Sequence, residues 1–222
     1  MMLKLSMAAF LAPLVLLLLS NQNRMSGKWT IDIPAGSQKA RLVFNQGDND
    51  DHWASVHVPV AQLQGLSPTD TITRFQLTRD AGTFSFTGSF QNGRGSGDWT
   101  FKGSSTFVSE LRKHGYDQLS DDHLYKLALN NLNTAYITEL AQAGYRNLSV
   151  DELISLYSNN VRGSYIESLK SVGYSKLAPR DLIALKTNGV TDAYIKSLQN
   201  RGHKDLSVQR ILSLRTNPGN QQ

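Results

Sequence analysis

The side chains of this 222-residue chain that could do chemistry are five histidines, scattered carboxylates and one glycine-rich run containing a serine. A metal site needs several imidazoles or carboxylates on one face. His52 and His57 stand five apart in an extended segment, which puts them on opposite faces. The remaining histidines are His114, His123 and His203. There is no His-Glu-x-x-His, no cysteine, and no carboxylate pair tied to a histidine. The run Asn92-Gly93-Arg94-Gly95-Ser96-Gly97 offers neither phosphate binding nor a nucleophile. A phosphate loop leads into a helix N-terminus, whereas a strand-like segment, Asp98 to Phe101, follows here. A Gly-x-Ser-x-Gly elbow needs glycine where Arg94 stands. Glycines between two aromatic strands predict a hairpin turn instead. The expectation is a non-enzyme with no cofactor and no metal.

The elements around these residues fall into two kinds. Residues 28–33, 39–46, 52–60, 72–80, 82–90 and 97–103 are short, β-branched or aromatic, and bounded by turn residues. They predict six antiparallel strands over 27–104 in a small sandwich, roll or meander, with residues 61–66 as a helical turn or loop. Alternation puts Ala54, Val56, Val58, Val60, Phe75, Leu77, Phe84, Phe86, Phe90, Trp99 and Phe101 on the inner face. Trp53 and His57 share the outer face, where an aromatic plate beside a polar ring could stack on a sugar or peptide.

From Phe107 the period changes, and equivalent residues recur 29 apart. Gly115, Gly144, Gly173 and Gly202 align, as do Leu111, Leu140, Leu169 and Leu198, and Leu119, Leu148, Leu177 and Leu206. The pattern predicts an α-helical repeat array over 107–216: four 29-residue units of two short helices each, with residues 217–222 as a disordered tail. Ser149 with Glu152 forms a capping box, and Pro179 suits a first helical position. The glycines close the second helix of each unit. His203 takes the slot of Tyr116, Tyr145 and Tyr174, and His123 that of Glu152, Asp181 and Arg210, so both read as variation within the repeat. The fold class expected is α+β.

Every recurring position is accounted for by burial or helix termination, so a partner must be read by positions that vary, such as Arg162, Lys186 and Thr191. Leu185 to Ile195 has some likeness to a helix-hairpin-helix, in which glycine amides hold a DNA phosphate, but only this unit has a glycine at that place. The formal charge of +5 divides as +2 over residues 1–106 (9 basic, 7 acidic) and +3 over 107–222 (14 basic, 11 acidic). Neither half carries a block of one sign, which argues for no nucleic acid and for no membrane contact beyond the N-terminus.

Residues 1–26 carry Lys4, then an apolar run from Ala8 to Leu19, then polar residues. That order predicts a signal peptide or, uncleaved, an N-terminal anchor, since the run is short for a hydrocarbon core of about 30 Å. Export with no cysteine fits a periplasmic or extracellular bacterial protein.

The repeat consensus, Leu-Ser-x-Asp-x-Leu-Ile-x-Leu-x-x-x-Gly-Val-x-x-x-Tyr-Ile-x-x-Leu-x-x-x-Gly-Tyr, is clearest over Leu177–Gly202. It resembles the extracytoplasmic repeats on BlaR1-type sensor metallopeptidases and on standalone exported bacterial proteins. The stretch from Phe75 to Gly88 resembles the domain that often precedes such repeats. Those peptidases carry a zinc His-Glu-x-x-His in a membrane domain, which this sequence does not contain. The resemblance therefore implies an envelope location and an association with sensing, and carries over no catalytic residue. Together these readings predict an exported, non-enzymatic protein-interaction module with a protein partner in the cell envelope. The alternative is a small-ligand or glycan-binding β domain with the repeats as spacer.

Overall fold

The computed structural model describes residues 25–46, 53–67 and 72–217. Residues 1–24 of the expected leader, His52 and nearly all of the expected tail lie outside them, while Ser26, expected in the leader, already belongs to the first strand. Seven strands form one antiparallel sheet: β1 (Ser26–Asp32), β2 (Lys39–Gln46), β3 (Trp53–Pro59), β4 (Leu63–Gln64), β5 (Thr73–Arg79), β6 (Gly82–Gln91) and β7 (Arg94–Gly103). Their spatial order is β3-β2-β1-β7-β6-β5-β4. Two runs of consecutive strands are thus joined edge to edge by β1 and β7, from Ser26 opposite Thr100 to Asp32 opposite Arg94.

This corrects the expected layout in three places. Among the described residues there are seven strands in one sheet, because residues 60–62 make a single 3-10 turn and Leu63–Gln64 then pair with Leu77 and Gln76. The glycine run is mostly strand: only Asn92 and Gly93 turn, with φ of 51° and 79°, and Arg94 to Gly97 continue the ladder opposite Gln91 to Gly88. Positive φ at both central residues is what a two-residue hairpin of right-handed twist demands. Of the residues expected inside over 52–60 only Val58 is buried, Ala54, Val56 and Val60 being half-buried, while β1 and β2 contribute Trp29, Ile31, Leu42 and Phe44 to the core.

The sheet curls around its apolar face. Phe44 on β2 and Phe84 on β6 are three strand spacings apart, about 14 Å across a flat sheet, yet their ring centroids lie 5.0 Å apart. Trp29 likewise meets Phe75 at 5.1 Å, edge to face. Each of the two core indoles keeps its N–H satisfied by a carbonyl, Trp29 donating to Thr87 and Trp99 to Asn45. Burial of these rings is what bends the sheet.

β7 passes through Ser104 directly into α1 (Ser105–Arg112), whose N-cap that serine is, accepting from the Phe107 amide. Seven more helices follow: α2 (Asp121–Leu129), α3 (Thr134–Gln142), α4 (Val150–Ser158), α5 (Gly163–Lys170), α6 (Pro179–Thr187), α7 (Asp192–Asn200) and α8 (Val208–Thr216). Ser120, Asn133, Ser149, Thr191 and Ser207 cap their helices by accepting from the amide three residues on. Such caps are each worth about 1 kcal/mol. Helices of eight or nine residues are marginal alone, and here they are held in two rows. α1, α3 and α5 pack in sequence on one side, and α2, α4, α6 and α8 on the other. Gly115, Gly144, Gly173 and Gly202 stand just past the ends of α1, α3, α5 and α7 with φ of 91°, 88°, 97° and 91°. The buried core is continuous from the sheet into the helices, and the junction is α2 against β6 and β7.

Candidate functional site

Trp53 opens edge strand β3 and is 63% exposed; His57 is also exposed, on the same outer face. They stand four positions apart along a strand, roughly 13 Å, so they flank Ser55 and do not form one plate. Ser55 accepts from the Arg41 guanidinium of β2. The structure therefore brings the two residues to one face without bringing them together.

The three positions singled out in the helical half have local duties. Thr191 is the N-cap of α7 and accepts from the Tyr194 amide. Arg162 lies over two rings, 5.0 Å from the centroid of Tyr136 and 4.7 Å from that of Tyr157, and its Nε donates to Asn160. The Lys186 ammonium sits 4.5 Å above Tyr165. Lys186 belongs to a shared arrangement: Tyr136, Tyr165 and Tyr194 are each covered by the residue 21 positions on, Tyr157, Lys186 and Arg215. A cation over a phenol face contributes about 0.5–1 kcal/mol at exposed sites and more when desolvated. Variation at this position thus changes what covers the ring. The sequence signal was present in the spacing, but only the packing of one helix row on the other shows it.

The tyrosines also tie successive loops. Tyr136 and Tyr165 donate to the carbonyls of Val161 and Val190, and Tyr145 and Tyr174 to those of Leu177 and Leu206, all at 2.7–2.9 Å. Burial pushes Tyr165 up to about 12 and Tyr125, with Asp122 adding to the effect, also to about 12; Tyr136 moves further the same way. A phenol whose pKa is higher in the folded chain lends stability that is whole below the unfolded value near 10 and lost as pH rises through the folded value. The expected result is alkaline unfolding centred between about pH 10 and 12. Following phenolate absorbance and circular dichroism together tests it: tyrosines that ionise near 10 in a still-folded chain would contradict the burial.

The histidines have structural partners or lie apart. His123 Nδ1 accepts from the Ser120 amide, completing a capping box, and His114 Nε2 lies 3.2 Å from the Thr138 hydroxyl. No group of three or more metal-ligating side chains comes together among the described residues. The Gly189 amide donates back to Lys186 and that of Val190 to Leu185, so the hairpin amides of the helix-hairpin-helix likeness are already bonded. No helix among the described residues is long and apolar enough to cross a membrane.

Two features were not anticipated. α2 closes one end of the curled sheet with Tyr125, 6% exposed, stacked on Trp99 at 5.4 Å and edge-on to Phe84 and Phe101. The opposite end is an open cleft of about 510 Å³, lined by Ile33, Pro34, Ala35, Val60, Leu66 and Phe90 among others. Its walls come from three loops far apart in sequence, and the local signal was slight: a Pro-Ala-Gly turn beside an isoleucine. No protein-family model, curated protein or solved structure matches this chain.

Proposed function

We propose that the protein is an exported, non-enzymatic interaction module of the bacterial cell envelope, in which a helical array holds a protein partner and contributes to sensing. Residues 1–26 would serve as signal peptide or anchor, residues 27–104 as a β domain, and residues 107–216 as four 29-residue units of two helices. The shared caps, glycine ends and tyrosine–carbonyl ties at matching positions support that division.

One observation carries the interaction reading. At the place in α2 where Tyr125 docks on the sheet, α4, α6 and α8 carry Ile154, Ile183 and Leu212, each only partly buried. The side that is covered by aromatic rings at α2 therefore continues along the row as an apolar ridge. Ile154→Lys with Ile183→Lys tests the ridge, because the lysine stems keep the packing while their ammonium groups make the surface polar. The double variant of the full chain is expected to melt within a few degrees of wild type and to lose a partner that wild type recovers from envelope extracts. Identical recovery by both chains, or none by either, would sink the reading.

A further inference from the structure

The cleft at the open end of the sheet lies away from the helical ridge and from Tyr125. Its rim is set by backbone hydrogen bonds between separate loops. The Ile33 amide donates to the Gly93 carbonyl at 2.7 Å, that of Val60 to Gln38 at 2.9 Å, and that of Ser37 to Pro34 at 2.9 Å across a turn with Gly36 at φ 75°. Glycine is needed on this rim: a Cβ at Gly93 would stand 2.5 Å from the Ile33 carbonyl oxygen, at φ 79°. Tied in this way, the loops cannot fold inward to fill the concavity. The floor is firm too, since Phe90 is buried and a Cβ at Gly95 would touch both Phe90 and the Trp29 indole.

The lining selects the occupant. Ile33, Pro34, Ala35, Val60, Leu66 and Phe90 supply apolar surface, and among the described residues no lining side chain is charged. A buried ionic group would find no counter-charge there and would lose hydration without return. The volume lies within the range of small-molecule sites, which are mostly apolar and preformed. Just before β5, at the same end of the sheet, Ile72 is 72% exposed.

We propose that this cleft binds a single uncharged alkyl or acyl chain, tail inward against Phe90, with its polar neutral end at the rim. The site is independent of the helical ridge, so either can fail without the other.

The test is titration of the full chain with the fluorescent probe N-phenyl-1-naphthylamine, followed by displacement with dodecanol, dodecanoate and dodecylamine. Saturable binding is expected, and dodecanol should displace the probe at lower concentration than either charged amphiphile. Ala35→Trp, on an exposed turn, and Val60→Asp, which puts a charge in the wall, should each weaken probe binding about tenfold or more. Retained circular dichroism shows that each variant is folded, and Ile154→Lys with Ile183→Lys should leave the titration unchanged. Non-saturable binding, binding that survives both cleft variants, or displacement by the charged amphiphiles at equal or lower concentration overturns the assignment.

Discussion

Replacing Tyr125 by alanine is expected to destabilise the protein by about 3–5 kcal/mol, the cost of deleting a large buried ring and leaving its space. Against a total of about 5–15 kcal/mol for an ordinary domain, that is a large share. The reason is position as much as size. Tyr125 sits nearly parallel to Trp99, 14° between planes, and meets Phe84 and Phe101 edge-on at 5.8 and 5.9 Å, so one side chain joins the first helices to the aromatic interior of the sheet. Loss of the ring exposes Trp99 to water and weakens the coupling between the halves. Guanidinium unfolding read by tryptophan fluorescence and by helical circular dichroism should show coincident transitions in wild type and separated ones in Tyr125→Ala. Tyr125→Phe keeps the ring and should cost far less. Equal effects of the alanine and phenylalanine variants would show that the junction does not depend on this packing.

Gly97→Val is expected to be among the most damaging changes in the sheet, at about 3 kcal/mol or beyond. Gly97 pairs with Gly88 across β6 and β7, and both occupy inward-facing positions, Gly88 between Phe86 and Phe90 and Gly97 beside Trp99. A Cβ at Gly97 would run into the Thr87 carbonyl oxygen and stand 2.6 Å from the Gly88 Cα; a Cβ at Gly88 would run into the Ser96 carbonyl oxygen in return. These obstacles are backbone, so no rotamer change relieves them. Side chains there would force the strands apart and flatten the curl that brings Phe44 to Phe84. The control is Ser96→Val, on the exposed face one residue away, which should stay within about 0.5 kcal/mol of wild type. Thermal melting of the pair decides: similar midpoints would mean that the curl needs no glycine.

Local rules made much of the molecule legible. Alternation placed Phe84, Phe86, Phe90, Trp99 and Phe101 inward, because successive side chains of a strand must point opposite ways. The Ser149–Glu152 capping box, Pro179 at a first helical position and glycines past the helix ends stand where nearest-neighbour chemistry puts them. The glycine run misled because a glycine is as compatible with a turn as with a strand that has no room for a Cβ. Gly95 and Gly97 are of the second kind. Arg162 and Lys186 looked available for a partner because sequence variation says nothing about what a side chain covers, and both lie over tyrosine rings.

The chain by itself determined periodicities, caps, turns and the change from strands to helices near Ser104, since each depends on residues within a few positions of one another. Only the tertiary structure decided that β1 pairs with β7, that the resulting single sheet curls until β2 and β6 touch, and that α2 stoppers one end while the other remains a cleft. Those outcomes depend on rings some 40 to 57 residues apart packing against each other, from Phe44 with Phe84 to Trp29 with Phe86. Such contacts follow from apolar burial summed over the whole core, and no local pattern encodes them.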